Sequence, residues 1–464
     1  MRIPGWQQVT LQTVPLSRWQ AGSWLSRGVG LLGMWRTSSW LLRWAEPLGV
    51  LLIAIALGFA PFFDTTLIGV LLIACGAYWA LLTLAETERL GMTPIHLAIG
   101  LYWGLMIVAT AFSPEKKVAL AGLIKFSLFL LFFLLAARVL RSPRWRNWLL
   151  TGYLNLSLII SGYGLRQAIH GVDQLATWND PTSPLADSTR VYSYLGNPNL
   201  LSSYIIPAIA FSLAACFIWR GTVPKFLALT TLIVNTACLY HTGSRGGWIA
   251  LILTAVVFFL LLRYWFADLL PRFWRKWLIP MVFGTFAAAL MAAILTVEAV
   301  RLRVASIFAG RGDSSNNYRI NVWESVFNMI GDYPLVGIGP GNGVFKKVYP
   351  LYARAGFENA LGAYSIFLEH ILEIGWFGFA SFLLLLIVTV GEGLRHLKAL
   401  RAAQNLQAFW LMAALASGVG LLTQGMFDTV WYRPAINTLW WLMVAIVASF
   451  APAKDAIAPQ PVQE

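Results

Sequence analysis

Long apolar runs separated by short polar turns dominate the chain from Pro47 onward. A helix rising 1.5 Å per residue needs ~20 apolar residues to cross a ~30 Å hydrocarbon core. Twelve runs reach or approach that length, at about 47–64, 67–85, 95–112, 119–139, 149–169, 199–219, 224–241, 246–264, 279–297, 364–390, 408–427 and 434–451. The pattern predicts an all-α polytopic membrane protein with about 12 transmembrane helices and one large outer loop. That loop, residues 298–362, is too polar for a span and too long for a plain turn. It holds "NYRINVWESVFNMIGDYPLVGIGPGNGVFKKVYP", which predicts a short amphipathic helix ending near Ile330 and a glycine-rich loop after it. Asp313, Ser314 or Ser315 is suited to cap that helix.

The predicted organisation is a cytoplasmic or interfacial segment over 1–46, a nine-helix membrane region over 47–297, and the outer loop over 298–362. Three last membrane helices over 363–451 and a disordered tail over 452–464 complete it. The first 46 residues mix Trp19, Trp24, Trp35, Trp40 and Trp44 with Arg18, Arg27, Arg36 and Arg43, which suits the headgroup layer. Gly28, Gly30 and Gly33 argue against one continuous helix there. No apolar core followed by a small-residue cleavage site is found in this stretch, so a cleaved signal peptide is not expected.

Composition agrees with a membrane protein. Of 464 residues, 58% are hydrophobic and 12% charged, and the mean hydropathy is +0.67. No soluble domain of this length manages with so little polar surface. The net charge of +14 therefore reads as loops on the cytoplasmic side, not as a nucleic-acid footprint. Lys and Arg concentrate on one set of loops. The short loops of the other set hold only Lys116, Lys117, Arg190, Arg245 and Arg433. This asymmetry places both termini in the cytoplasm and the 298–362 loop outside an inner (plasma) membrane. Cys75, Cys216 and Cys238 lie in apolar runs without CxxC spacing or a histidine cluster, so no metal or other cofactor is expected.

On that topology several cations share one level. Lys125 lies ~9 Å into the fourth span, Arg166 is near the outer end of the fifth, and Arg433 opens the twelfth. Arg245 starts the eighth in "TGSRGGW", and Arg319 sits on the loop helix, one turn from Trp323 and on the same face. A charge inside a span is costly and marks a candidate site, so these five form a candidate anion site. "GIGPGNG" at 337–343 lacks the GKS or GKT of a P-loop. It reads either as a tight surface loop or as a nest of N–H groups facing an anion.

Four motifs in order, "YLGNPN", "TGSRGGW", "YRINVWESVFNMIGDYPLVGIGPGN" and "AYSIFLEHILEIGWFGF", resemble the O-antigen ligase and polymerase superfamily over about residues 190–380. "VYSYLGNPNLLSSY" and "AYSIFLEHILEIG" are most similar to its cyanobacterial branch named for bicarbonate transport, of the inorganic-carbon-accumulation type. The superfamily resemblance implies metal-independent glycan transfer from an isoprenoid diphosphate at the outer membrane face. Arginines, here Arg245 and Arg319, would hold the diphosphate, and Glu373 and Gly375 match its closing "ExG". The family's histidine–asparagine pair is replaced by Tyr364 and Ser365. That leaves Tyr364 and Glu358 as candidate catalytic groups, and inorganic-carbon transport, or an accessory role in it, as the alternative. Expected partners are membrane lipids with a lipid-linked glycan or bicarbonate.

Overall fold

The computed structural model describes residues 5–14, 16, 28–63, 65–86, 92–176, 186 and 188–450. The predicted tail at 452–464 and most of the first 27 residues lie outside this set. Among the described residues every regular element is helical. The main helices are α1 (Ala45–Phe59), α2 (Thr65–Leu84), α3 (Pro94–Phe112), α4 (Lys116–Val139) and α5 (Pro143–His170). They continue with α6 (Pro198–Ile218), α7 (Thr222–His241), α8 (Arg245–Phe266), α9 (Arg272–Thr296) and α10 (Glu298–Phe308). The last are α11 (Ser314–Asp332), α12 (Asn342–Val348), α13 (Ile366–Ala402), α14 (Ala408–Gly425) and α15 (Pro434–Ser449).

Each predicted span is occupied by a helix. Among the described residues nine are long and apolar enough to cross a membrane, and α1 and α15 are shorter apolar helices. The protein is an integral membrane protein with multiple spans. Helix α5 differs from expectation: it starts at Pro143, a favoured first helical residue, and so draws Arg144 and Arg146 into the helix. Arg146 is buried, donating to Gln407 Oε1 at 2.9 Å and Ser449 Oγ at 3.2 Å. Residues 28–44 form turns and two four-residue helices, in keeping with the glycines there.

Helices α6, α14 and α15 are apolar on every side and are buried on every side. Alanine and glycine along α14 let α6 and α8 pack close against it. Helix α9 is the opposite case. It has no buried residue and touches the rest of the protein mainly through α10 and a Phe283–Phe259 ring contact at 6.1 Å.

The 298–362 region carries more order than the sequence pattern suggests. Helix α10 precedes the predicted amphipathic helix, which is α11. Asp313 is its N-cap, with its side chain accepting from the Asn316 N–H at 2.9 Å. Val322, Val326, Met329, Ile338, Phe345 and Tyr349 form a second small core, which packs on Ala119 of α4 and Leu372 of α13. The cap is therefore docked on the membrane helices.

Helix α13 breaks at Gly375 (φ 66°, ψ −176°). The break frees backbone groups inside an apolar setting, where they need partners. The glycine-rich loop supplies them. Ile338 N–H donates to Leu372 O at 2.8 Å and Gly339 N–H to Glu373 O at 2.9 Å. Trp376 N–H donates to Pro334 O at 2.9 Å, and Gly341 N–H to Glu373 Oε1 at 2.9 Å. The sequence offered "GIGPGNG" as a surface loop or an anion nest; residues 337–340 are instead buried, and the Ile338, Gly339 and Gly341 N–H groups bond the broken helix.

Candidate functional site

A cavity of about 800 Å³ opens where α6 and α8 begin and α14 ends. Helices α10 and α11 form its other wall. Four arginines line it: Arg190, Arg245, Arg303 and Arg319. Their placement follows from local structure. Ser244 caps α8 by accepting from the Gly247 N–H at 3.2 Å, so Arg245 projects from the first residue of that helix. Arg245 donates to Ser306 O at 2.9 Å and Ser306 Oγ at 3.1 Å in α10, and to Asp313 Oδ1 at 3.0 Å. It thus ties both cap helices to α8.

Arg190 is buried and donates to Thr242 O at 2.8 Å and Asn199 Oδ1 at 3.1 Å. Between Arg190 and Arg303 lies Gly243 at φ 58°, where an added Cβ would stand 2.6 Å from the Arg303 guanidinium and 3.4 Å from Arg190 Nε. The glycine before "SRGG" therefore allows two guanidinium groups to crowd the same turn. Arg319 donates to Ser315 Oγ at 2.7 Å one turn back on α11, and its Nε is buried with no hydrogen-bond partner.

The cluster is electrostatically uncomfortable. Burial, followed by the charges of Arg303, Arg245 and Arg319, pulls Arg190 down to about 9. Burial and Arg245 pull Arg303 down to about 10. Burial also lowers Arg319, against the opposing pull of Asp428. All keep their charge at neutral pH. Only two carboxylates, Asp313 and Asp428, are among the described residues lining the cavity, so its walls carry an excess of two positive charges.

Asp428 follows α14. Its Oδ1 accepts from the Thr429 N–H at 2.8 Å, and its Oδ2 accepts from Asn199 Nδ2. Tyr364 also lines the cavity, in a left-handed backbone conformation at φ 48°. Its N–H donates to Thr429 Oγ1 at 2.9 Å, and Thr429 Oγ1 donates to Glu369 Oε1 at 2.7 Å. The Tyr364 ring stands edge-on to Tyr318 at 5.8 Å. Burial pushes the Tyr364 hydroxyl well above its ordinary value, against proton-accepting work at neutral pH.

Residues 226–383 match the family model described as O-antigen ligase. The match covers about a third of the chain, and over that stretch the protein is similar to O-antigen ligases. No curated protein matches the chain. The ligase-like stretch contributes Arg245, Arg303, Arg319 and Tyr364 to the cavity, while Arg190 and Asp428 join it from outside the match.

The structure brings together Arg245, Arg319 and Tyr364 from the expected set. The other four lie apart from the cavity lining. Lys125 is exposed on α4. Arg166 is exposed 5.8 Å from the Tyr163 ring, and Arg433 is exposed 5.3 Å from the Tyr432 ring. Glu358 is exposed and accepts from the Gly356 N–H at 3.0 Å; hydrogen bonds from its own N–H and from that of Gly356 hold its carboxyl below the usual value. Arg190, Arg303 and Asp428 were not singled out by sequence pattern. Arg190 and Arg303 sit in polar stretches, where a basic residue gives no signal, and Asp428 sits in a short link between two spans.

His370, five residues into α13, is packed among Tyr102, Phe382 and Trp431 and does not reach the cavity. None of the five histidines lines it.

Proposed function

We propose that the cavity binds the diphosphate of an isoprenoid-linked glycan at the outer face of the inner membrane, with both termini cytoplasmic, and that the protein transfers the glycan to a hydroxyl acceptor. The observation that carries this reading is the cluster of four arginines, Arg190 buried and the other three half-buried, against two aspartates among the described lining residues. A diphosphate diester carries about two negative charges, matching the excess, and its several oxygens suit guanidinium forks. Arg319 Nε, buried without a partner, is a donor that such a ligand satisfies. When the glycan leaves, the diphosphate gains negative charge, so the cluster holds the leaving group more tightly than the substrate, as catalysis requires. The similarity to O-antigen ligases over residues 226–383 points the same way.

The size and polarity of the site also fit. Phe427 and Tyr432 bring apolar surface to the lining beside the arginines, in keeping with a lipid-linked donor. Bicarbonate carries about one charge and would fill a small part of 800 Å³. The inorganic-carbon reading therefore draws less support from the site than the diphosphate reading does.

The test uses purified protein in lipid vesicles. With an isoprenoid-diphosphate-linked oligosaccharide and a panel of hydroxyl acceptors, the expected outcome is glycan transfer, alongside labelled-bicarbonate uptake equal to that of empty vesicles. Bicarbonate flux above empty vesicles without transfer would reverse the order of the two readings.

A further inference from the structure

We propose that Asp428 is the proton acceptor for the attacking hydroxyl, standing where no histidine reaches the cavity. This rests on the ligase-like reading of the site.

Among the described residues two carboxylates line the cavity, and they differ in their hydrogen-bond partners. Asp313 is committed twice through one oxygen: Oδ1 accepts from Arg245 at 3.0 Å and from the α11 backbone at 2.9 Å. Its carboxylate is thus engaged in an ion pair with Arg245 and in capping α11. Asp428 instead accepts from neutral donors, the Thr429 N–H and the Asn199 amide. It lies close enough to Arg190 and Arg319 for its charge to act on both. It therefore borders the cluster that would hold the diphosphate.

The carboxylate is also held in place. Arg190 donates to Asn199 Oδ1, and this fixes the amide so that Nδ2 faces Asp428. Gln424 Nε2 secures the Asn199 carbonyl at 2.8 Å. On the other side, Thr429 is gripped by Glu369 and by the Tyr364 backbone. One anion-binding arginine thus orients, through Asn199, the group that receives the proton. Glu358 faces its own turn and Tyr364 is a phenol, so neither replaces it.

The acceptor oxygen forms a bond to the anomeric carbon as the bond from that carbon to the diphosphate oxygen breaks. The electron pair leaves with the isoprenoid diphosphate into the arginine cluster. The hydroxyl proton passes to an oxygen of Asp428, as it does to the carboxylate base of inverting glycoside hydrolases. Asn199 is a positioning residue in this scheme.

The experiment measures transfer and donor binding separately, on the full chain in vesicles. General-base catalysis contributes typically 10²- to 10⁴-fold. The Asp428→Asn variant is expected to lose transfer by about that factor while binding farnesyl diphosphate within about threefold of wild type. The acid limb of the wild-type pH–rate profile is expected to vanish from its residual rate. Formate added to Asp428→Gly is expected to restore at least about tenfold of the lost rate, a response that a folding defect does not give. Transfer by Asp428→Asn within about tenfold of wild type would overturn the proposal and leave the binding reading standing. So would a wild-type protein that binds farnesyl diphosphate but transfers to no hydroxyl. A wild-type protein that neither binds nor transfers would remove both.

Discussion

Replacing Arg319 by alanine is expected to weaken diphosphate binding by about 10- to 150-fold. A hydrogen bond between charged partners is worth about 1.5–3 kcal/mol, and each 1.4 kcal/mol is a factor of ten. Arg319 is half-buried in the cavity wall with a buried, unpartnered Nε, so its guanidinium has bonding capacity that a ligand can satisfy. Arg190→Ala should weaken binding similarly and lower transfer further, because Arg190 also orients Asn199. Lys125→Ala, Arg166→Ala and Arg433→Ala should each change binding by less than about twofold, since those side chains are exposed and outside the lining. Calorimetric titration with farnesyl diphosphate separates the two groups.

Stability should move the other way. Ligand-free protein holds four like charges close together, and burial and repulsion pull Arg190, Arg303 and Arg319 below their ordinary values. Removing Arg319 relieves that repulsion, so the ligand-free variant should melt no lower than wild type. Wild type should gain more than the variant from added diphosphate. A site that is uncomfortable when empty and relieved when filled is what a built anion pocket predicts.

The second large effect is structural. Gly375→Ala is expected to cost about 3 kcal/mol or more, or to abolish the folded protein. The residue sits at φ 66°, and a Cβ there would stand 2.1 Å from the Leu335 carbonyl oxygen. Neither chain can yield without losing the hydrogen bonds that satisfy the broken helix. Gly104→Ala is the control, because nothing lies within 4 Å of a Cβ at that helical position. It should be neutral or slightly stabilising. Thermal melts of the two variants in detergent compare them directly.

The helices were legible because the bilayer imposes a simple rule, an apolar run long enough to cross it. The rule says less at the ends. Helix α13 extends to Ala402, beyond the apolar run, because Glu392 and His396 are buried in its last turns. Helix α10 was missed because a short helix wedged between a span and a turn has no long apolar face to announce it. In the site, Arg245 and Arg319 stood out as basic residues at the start of a span and on an amphipathic helix. Arg190 and Arg303 were hidden in polar stretches, where basic residues are ordinary. Asp428 meets Asn199 across 229 positions of sequence, a separation that no local pattern reports. Lys125 illustrates the converse. This cation inside an apolar run is exposed and lies outside the cavity lining.

Whether the arginine cavity is shaped and charged for a diphosphate is decided by titrating the purified protein with farnesyl diphosphate, farnesyl monophosphate and bicarbonate. One saturable diphosphate site per chain is expected, binding at least about tenfold tighter than the monophosphate and indifferent to millimolar bicarbonate. Equal affinity for the two phosphates, or displacement of the diphosphate by bicarbonate, would contradict it.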